Sequence, residues 1–313
     1  MIRRLAGKSA VAAALAALTL STAQAQPAPP PAPAVPFPIG APATASGAVM
    51  APSASAPMLG TATGVRLYTL DCGRLQVPDM GMFSDTGEYD GRPGAVVSPC
   101  YVVVHPNGTL LWDTGLGDHL VGKGPVTVDG GVILQVDRSL QSQLQMIGVK
   151  RVDYLALSHF HFDHTGNAGA FHDATWLVNR HEREAAQNEP NAFINPENVR
   201  PGRSTRQQLI DGDHDVFGDG SVKILRAPGH TPGHHALLVR LAGSGPVILS
   251  GDLYHTLENR RYQRVPTFNT NRADTLASMN RIETLARNLG ARIIVQHDPQ
   301  EFAAMPQAPG YLE

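Results

Sequence analysis

The chain has 313 residues, 17% of them charged and 42% hydrophobic, with a formal net charge of −2 and two cysteines. That length can bury a sizeable core, and the slightly acidic balance with no Lys/Arg run excludes nucleic acid as the main partner. Two thiols alone also make a poor zinc site.

The first segment has the layout of a secretory leader. Arg3, Arg4 and Lys8 precede a short apolar core from Ala10 to Leu20, and Ala23-Gln24-Ala25 supplies a small-x-small cleavage pattern before Gln26. The core is too short to span a bilayer. Residues 1–25 therefore read as a signal peptide, and the mature protein as secreted or periplasmic with no stable membrane insertion. Removing the three leader cations leaves a charge of about −5. Residues 26–60 are dominated by Pro, Ala and Ser and read as a disordered or polyproline-like tether, having too little apolar area to offset their ordering entropy. Residues 61–313 remain as one large domain. In an exported chain Cys72 and Cys100 are expected to form a disulfide, with free buried thiols as the alternative.

Val65 to Leu70 is strand-like, and a Gly/Asp-rich loop with Met80, Met82 and Phe83 follows. Cys100 to Val104 and Thr109 to Trp112 form a predicted hairpin around Pro106-Asn107-Gly108, ending in the polar turn Asp113-Thr114-Gly115. The spacing of Leu140, Leu144 and Ile147 predicts a helix over Asp137 to Ile147, stopped by Gly148. A second strand–helix unit covers Thr175 to Val178 and Glu182 to Gln187. Residues 188–215 are polar and long for a plain connection, which suggests a loop or lid. Strands are then expected at Val222 to Leu225, Ala236 to Leu241, Val247 to Leu249 and Ile293 to Val295. Asp274 to Leu289 reads as an amphipathic helix closed by Gly290. Hairpins followed by strand–helix alternation imply mixed sheets with helices outside them, an α/β (α+β) fold.

Three histidines and an aspartate crowd into six residues at His159-Phe160-His161-Phe162-Asp163-His164, directly after the apolar run Tyr154 to Leu157. Imidazoles and a carboxylate suit Zn²⁺ and similar borderline cations. Side chains two apart share a face on an extended segment, so His159 and His161 can address one ion. After a change of direction, Asp163 and His164 can address another. Three further groups follow apolar strands in the same way: His230 in Pro228-Gly229-His230-Thr231-Pro232-Gly233-His234, Asp252 in Ser250-Gly251-Asp252, and His297 in Gln296-His297-Asp298. Loops at strand ends are where such folds assemble sites from distant sequence. Two cations sharing a carboxylate can lower the pKa of a water to about 7 and polarise a carbonyl or phosphoryl oxygen.

This ordered set resembles the metallo-β-lactamase superfamily over essentially all of residues 61–313. The resemblance implies a single-domain, four-layer αββα sandwich with two divalent ions, Zn²⁺ foremost, at one edge. It implies that His159, His161 and His230 hold one ion, that Asp163, His164 and His297 hold the other, and that Asp252 bridges them. His234 then falls outside the ligand set as a supporting residue, and His235 does not coordinate. Asp113 is expected to hydrogen-bond a ligand histidine. His105, His119, His172, His181 and His214 read as surface or capping residues, whereas His255 is near enough to Asp252 to reach the pocket.

Leu70 to Gly73, Leu111 to Gly115, Leu249 to His255 and Val295 to Asp298 are most similar to the N-acyl-homoserine lactonase branch. That implies a hydrolase for a small lactone or ester, with a metal-bridging hydroxide attacking the lactone carbonyl. Asp163, Asp252 and Tyr254 are the expected catalytic residues: Asp163 as proton donor, Asp252 as bridge, and Tyr254 for the tyrosine that the branch places on the substrate carbonyl. Met80, Met82 and Phe83 either line an acyl-chain pocket or simply cover the core. A phosphotriesterase of the same fold is the main alternative; a β-lactamase would lack the bridging aspartate. A homodimer remains open.

Overall fold

A computed structural model describes residues 64–188 and 193–313. The expected leader at 1–25 and tether at 26–60 lie outside the described residues.

In chain order the strands are β1 Arg66–Val77, β2 Gly94–His105, β3 Gly108–Trp112, β4 Val126–Thr127, β5 Ile133–Gln135, β6 Tyr154–Ala156, β7 Thr175–Asn179, β8 Arg206–Ile210, β9 His214–Asp215, β10 Val222–Arg226, β11 His235–Leu241, β12 Gly245–Leu249 and β13 Arg292–Ile294. The helices are α1 Leu140–Met146, α2 Phe162–Thr165, α3 Arg180–Asn188, α4 Leu257–Tyr262, α5 Arg272–Leu289 and α6 Pro299–Ala304. Eight strands form one sheet in the order β4-β5-β1-β2-β3-β6-β7-β8, and five form a second in the order β13-β12-β11-β10-β9. The β3–β6–β7–β8 run and the β12–β13 pair are parallel.

Strand periodicity explains the layering. On β11, Leu237, Val239 and Leu241 face the seam between the sheets, where they join Leu67, Val103, Leu110 and Trp112 from the larger one. Ala236 and Leu238 face the other way, onto Met279, Ile282 and Ala286 of α5. The outer face of the larger sheet packs on Leu140 and Leu144 of α1. Helix, sheet, sheet and helix therefore stack in four layers. Each fully buried Leu, Ile or Val contributes about 1.5–3 kcal/mol, so the shared seam fixes the sheets against each other.

Helix caps set several element boundaries. The helix expected from Asp137 begins at Leu140, because the Ser139 side chain caps it by accepting from Ser142 N. Asp137 is instead paired with Arg74. The stretch expected as a loop or lid over 188–215 contains β8, which pairs in parallel with β7 and forms an edge of the larger sheet. Cys72 and Cys100 are joined in a disulfide linking β1 to β2. Closing that 28-residue separation is worth about 3–4 kcal/mol in the chain-entropy account.

Candidate dinuclear metal site

Five strands from both sheets (β3, β6, β10, β12 and β13) end at one edge of the sandwich, and the residues just beyond them carry the site. After β6 the chain bends at Ser158, is extended at His161 and then enters the single turn α2, which places Asp163 and His164 in a new direction. His230 follows β10, Asp252 sits in a 3₁₀ turn at Gly251–Leu253 after β12, and His297 follows β13.

These side chains converge as two groups of donors: His159, His161, His230 and Asp252 in one, and Asp163, His164 and His297 in the other. In the first group His230 Nε2 lies 3.2 Å from His159 Nε2 and 3.1 Å from His161 Nδ1. In the second, His164 Nε2 and His297 Nε2 are 3.1 Å apart. Nitrogens bound tetrahedrally at the usual zinc distance stand about 3.3 Å from one another, so both spacings fit a cation at the centre. The Asp252 carboxylate faces both groups. Its Oδ1 is 3.0 Å from His164 Nε2 and 2.9 Å from His297 Nε2, while its Oδ2 is 3.3 Å from His230 Nε2 and 3.5 Å from His159 Nε2. All seven residues predicted from the sequence as ligands are thus brought together, and the two groups share one carboxylate.

The electrostatics of the groups differ. Burial pushes the pKa values of His159 and His230 well below normal and that of His161 down to about 4, so these rings stay neutral and keep a lone pair for a cation. Burial also opposes charge on His164, but Asp252, Asp113 and Asp163 together outweigh it and hold its pKa well above normal. His297 is raised in the same way by Asp252 and Asp163. Burial works against the Asp252 carboxylate, yet His297, His164 and His159 hold it ionised.

A hydrogen-bonded shell aims the donors. His164 Nδ1 meets Asp113 Oδ2 at 2.9 Å, and His297 Nδ1 donates to Val97 O at 2.5 Å. Ser158 Oγ lies 3.0 Å from His159 Nδ1 and 3.2 Å from His164 Nδ1, touching one ring of each group. Asp113, with φ of 60°, also accepts from Ser158 N and Gln296 Nε2. Gln296 Oε1 accepts from Trp112 Nε1 and Gly251 N, tying three strand ends together. His234 supports Asp252: its Nδ1 donates to Ala227 O and its Nε2 accepts from Asp252 N. A Cβ on Gly251 (φ 53°) would lie 2.5 Å from that Nε2, so the turn needs glycine there. His235 Nε2 bonds to Asn179 Nδ2, away from the donors.

Two expectations need correction. Tyr254 does not line the site: it is buried against α5, its hydroxyl donates to Glu283 Oε1 at 3.3 Å, and burial pushes its pKa up. The chain is extended at Tyr254, so neighbouring side chains take opposite sides. The side facing the cavity therefore goes to His255, whose Nε2 is 3.1 Å from Asp252 Oδ2 and whose ring packs between Phe83 and Phe268. His105 is not a surface residue; it is buried, stacked on Phe217 and paired with Asp219 at 2.9 Å. Of the two alternatives for the Met80–Phe83 loop both hold: Met80, Met82 and Phe83 all pack in the neighbouring apolar cluster, and Met82 and Phe83 also line the cavity.

The cavity over the donors has a volume of about 490 Å³. Asp163, Asp252, His255 and His297 form its polar end, and Leu75, Met82, Val132, Phe162 and Phe268 are among its apolar walls. Among residues that sequence reasoning passed over, Glu182 is buried between the loops carrying His159/His161 and His230; only its place next to a helix start hinted at a local role.

Comparison with known proteins agrees with this geometry. The sequence profile of the metallo-beta-lactamase superfamily matches residues 93–297. The chain is 33% identical over 267 residues to N-acyl homoserine lactonase AttM of Azorhizobium caulinodans, covering 80% of this chain and 100% of that protein. It is 28% identical to N-acyl homoserine lactonase AiiA of Bacillus thuringiensis subsp. kurstaki, covering 79% and 98%. A solved N-acyl homoserine lactone hydrolase with N-hexanoyl-L-homoserine bound at its catalytic metal centre superposes with a TM-score of 0.68 at 26% identity, covering 79% and 98%. With its two stacked sheets, its His/Asp-rich strand-end loops and these matches, the chain belongs to the metallo-beta-lactamase superfamily.

Proposed function

We propose that this protein is a dinuclear metal hydrolase that opens the ring of N-acyl homoserine lactones to the corresponding N-acyl homoserines. The observation that carries this reading is Asp252 offering one oxygen to each donor group at the polar end of a cavity with apolar walls. Lactonases aligned over nearly their full length support the substrate class.

His159, His161 and His230 would hold one ion and Asp163, His164 and His297 the other, with Asp252 between them. Zn²⁺ is the proposed ion, since the donors are neutral imidazoles and carboxylates. When bound, the pair would supply a water with a pKa near 7 and a Lewis acid for the carbonyl. The protein does the rest. The apolar walls take the acyl chain and leave the lactone at the polar end. Asp163 faces the cavity there, placed to take the proton that the attacking water gives up and pass it to the alcohol oxygen freed when the ring C–O bond breaks. His255 and His234 steady Asp252 from its oxygen side and its backbone side.

We also propose export of the mature chain. Support comes from the leader's layout and the Cys72–Cys100 bond, since disulfides persist in oxidising compartments. Fractionation of cells expressing the full chain tests this, and a cytoplasmic, unprocessed protein would refute it. The decisive test of activity is a hydrolysis panel of acyl homoserine lactones, an aryl ester, a phosphotriester and a cephalosporin. Lactone turnover should dominate; turnover of the phosphotriester alone would overturn the reading.

A further inference from the structure

The three histidines of the first donor group come from two loops far apart in sequence, and among the described residues only one of their rings, that of His159 through Nδ1 to Ser158, is hydrogen-bonded outside the donor set. Among the described residues, His161 Nε2 and His230 Nδ1 have no hydrogen-bond partner. Their rings pack against Phe268, so what hydrogen bonding can add to their placement comes through the backbone of the two loops. At the start of α3, Glu182 is 3% exposed, and each of its carboxylate oxygens accepts a backbone N–H from a different loop. Oε1 accepts from Phe160 N at 2.9 Å, the residue between His159 and His161. Oε2 accepts from Gly233 N at 2.9 Å, three residues past His230.

The surrounding chemistry fits a clamp. The Asn179 side chain caps α3 by accepting from His181 N and Glu182 N, which fixes the helix start. The His230 loop presses so closely on this start that a Cβ on Gly233 would lie 2.4 Å from Glu182 N and 2.6 Å from Asn179 Oδ1. Glycine at 233 thus lets the loop reach the carboxylate. Orienting Phe160 sets the directions of the histidines on both sides of it, because alternate residues of an extended segment share a face.

We infer that Glu182 is the positioning residue of the first metal group, a carboxylate clamp that fixes the His159/His161 loop against the His230 loop. The inference rests on the two-metal reading of the site. A carboxylate is required because both of its contacts are donors. Glutamine keeps the shape but can accept only through one oxygen, and turns an NH₂ group towards the other N–H.

The test uses the full chain loaded with Zn²⁺ and stripped with graded chelator, with bound ions counted by native mass spectrometry. Spectra of ¹⁵N-labelled histidine identify which rings are released. Glu182→Gln should lose one ion about 10–100-fold more readily than the unmodified protein, the scale typical of lost outer-shell partners, with His159, His161 and His230 released. The other ion should be held as before. Glu182→Ala and Gly233→Ala should give the same pattern, the latter by forcing the seam apart. Melting of the metal-free proteins separates this effect from a general loss of fold. Glutamine behaving like the natural residue would overturn the clamp, since a packing role tolerates it. Parallel loss of both ions would overturn it as well. Fewer than two ions in the unmodified protein would instead refute the dinuclear reading, and the clamp with it.

Discussion

The two donor groups use the same residue types but are held in different ways. Around His164 and His297 the protein supplies direct ring partners: Asp113 on one and the Val97 carbonyl on the other. Around His161 and His230 it holds the backbone through Glu182, and the far ring nitrogens have no hydrogen-bond partner among the described residues. The charge environment follows the same division. Asp113, Asp163 and Asp252 surround the second group and favour protonated rings, whereas burial dominates the first and keeps its rings neutral. A shell of carboxylates orients rings strongly but makes a metal compete with protons; a backbone clamp orients them without that competition.

The largest effect should come from removing what the groups share. Asp252→Ala is expected to lower kcat/KM by about 10²–10³-fold or more, the scale of losing one electrostatic group from a preorganised site. Near-native turnover would show that the carboxylate bridges nothing. Asp113→Asn acts chiefly on the second group: asparagine tolerates the left-handed backbone there and its oxygen can still accept from Ser158 N, but it cannot charge-pair with His164. Metal affinity at that group should drop about 10–100-fold, read by chelator competition, with the first group unchanged.

A subtler difference lies in protons. With its pKa raised well above normal by Asp252, Asp113 and Asp163 against the opposing effect of burial, His164 in the metal-free protein holds its proton to higher pH than a free imidazole, so filling the second group should expel a proton. Its affinity should weaken as pH falls through and below that raised pKa, because the metal needs the deprotonated ring. His161, held down to about 4, gives the first group no such penalty until much lower pH. Calorimetry in buffers of different ionisation enthalpy measures this directly, and equal proton release from both groups would erase the contrast. Smallest of all is Tyr254→Phe, which should cost about 0.5–1.5 kcal/mol in denaturant melts through the lost Glu283 contact and leave kcat unchanged.

Much of the site was legible because its ligands are local in sequence or sit at recognisable strand ends. Within His159 to His164, spacing alone separates the pair on the extended segment from the pair beyond the turn. The apolar runs before Asp113, Asp252 and His297 likewise mark strands that stop at a polar loop. Tyr254 was misplaced because consecutive extended residues alternate sides, and the chain around it does not say which side faces the cavity. His255 takes that side only because Leu253 and Tyr254 pack towards α5. Glu182 and Gln296 looked like ordinary helix-start and strand-end residues; their partners lie up to 51 and 184 positions away. β8 was missed because its polar sequence, Arg206 to Leu209, becomes a strand only where the open edge of β7 offers it backbone partners.

The sequence by itself determined the ligand types, the separation of His159/His161 from Asp163/His164 and the main strands and helices, while the family and the full grouping of the ligands came from the resemblance of its ordered motifs. The ligand types, that separation and the elements follow from short-range periodicity and from the coordination chemistry of single side chains, which need no knowledge of distant neighbours. Tertiary structure alone decided which oxygen of Asp252 faces which group, that His255 rather than Tyr254 enters the cavity, and that Glu182 joins two loops. Each of these depends on how the sheets and helices stack, and a buried polar group takes whichever partner that stacking brings within hydrogen-bond reach.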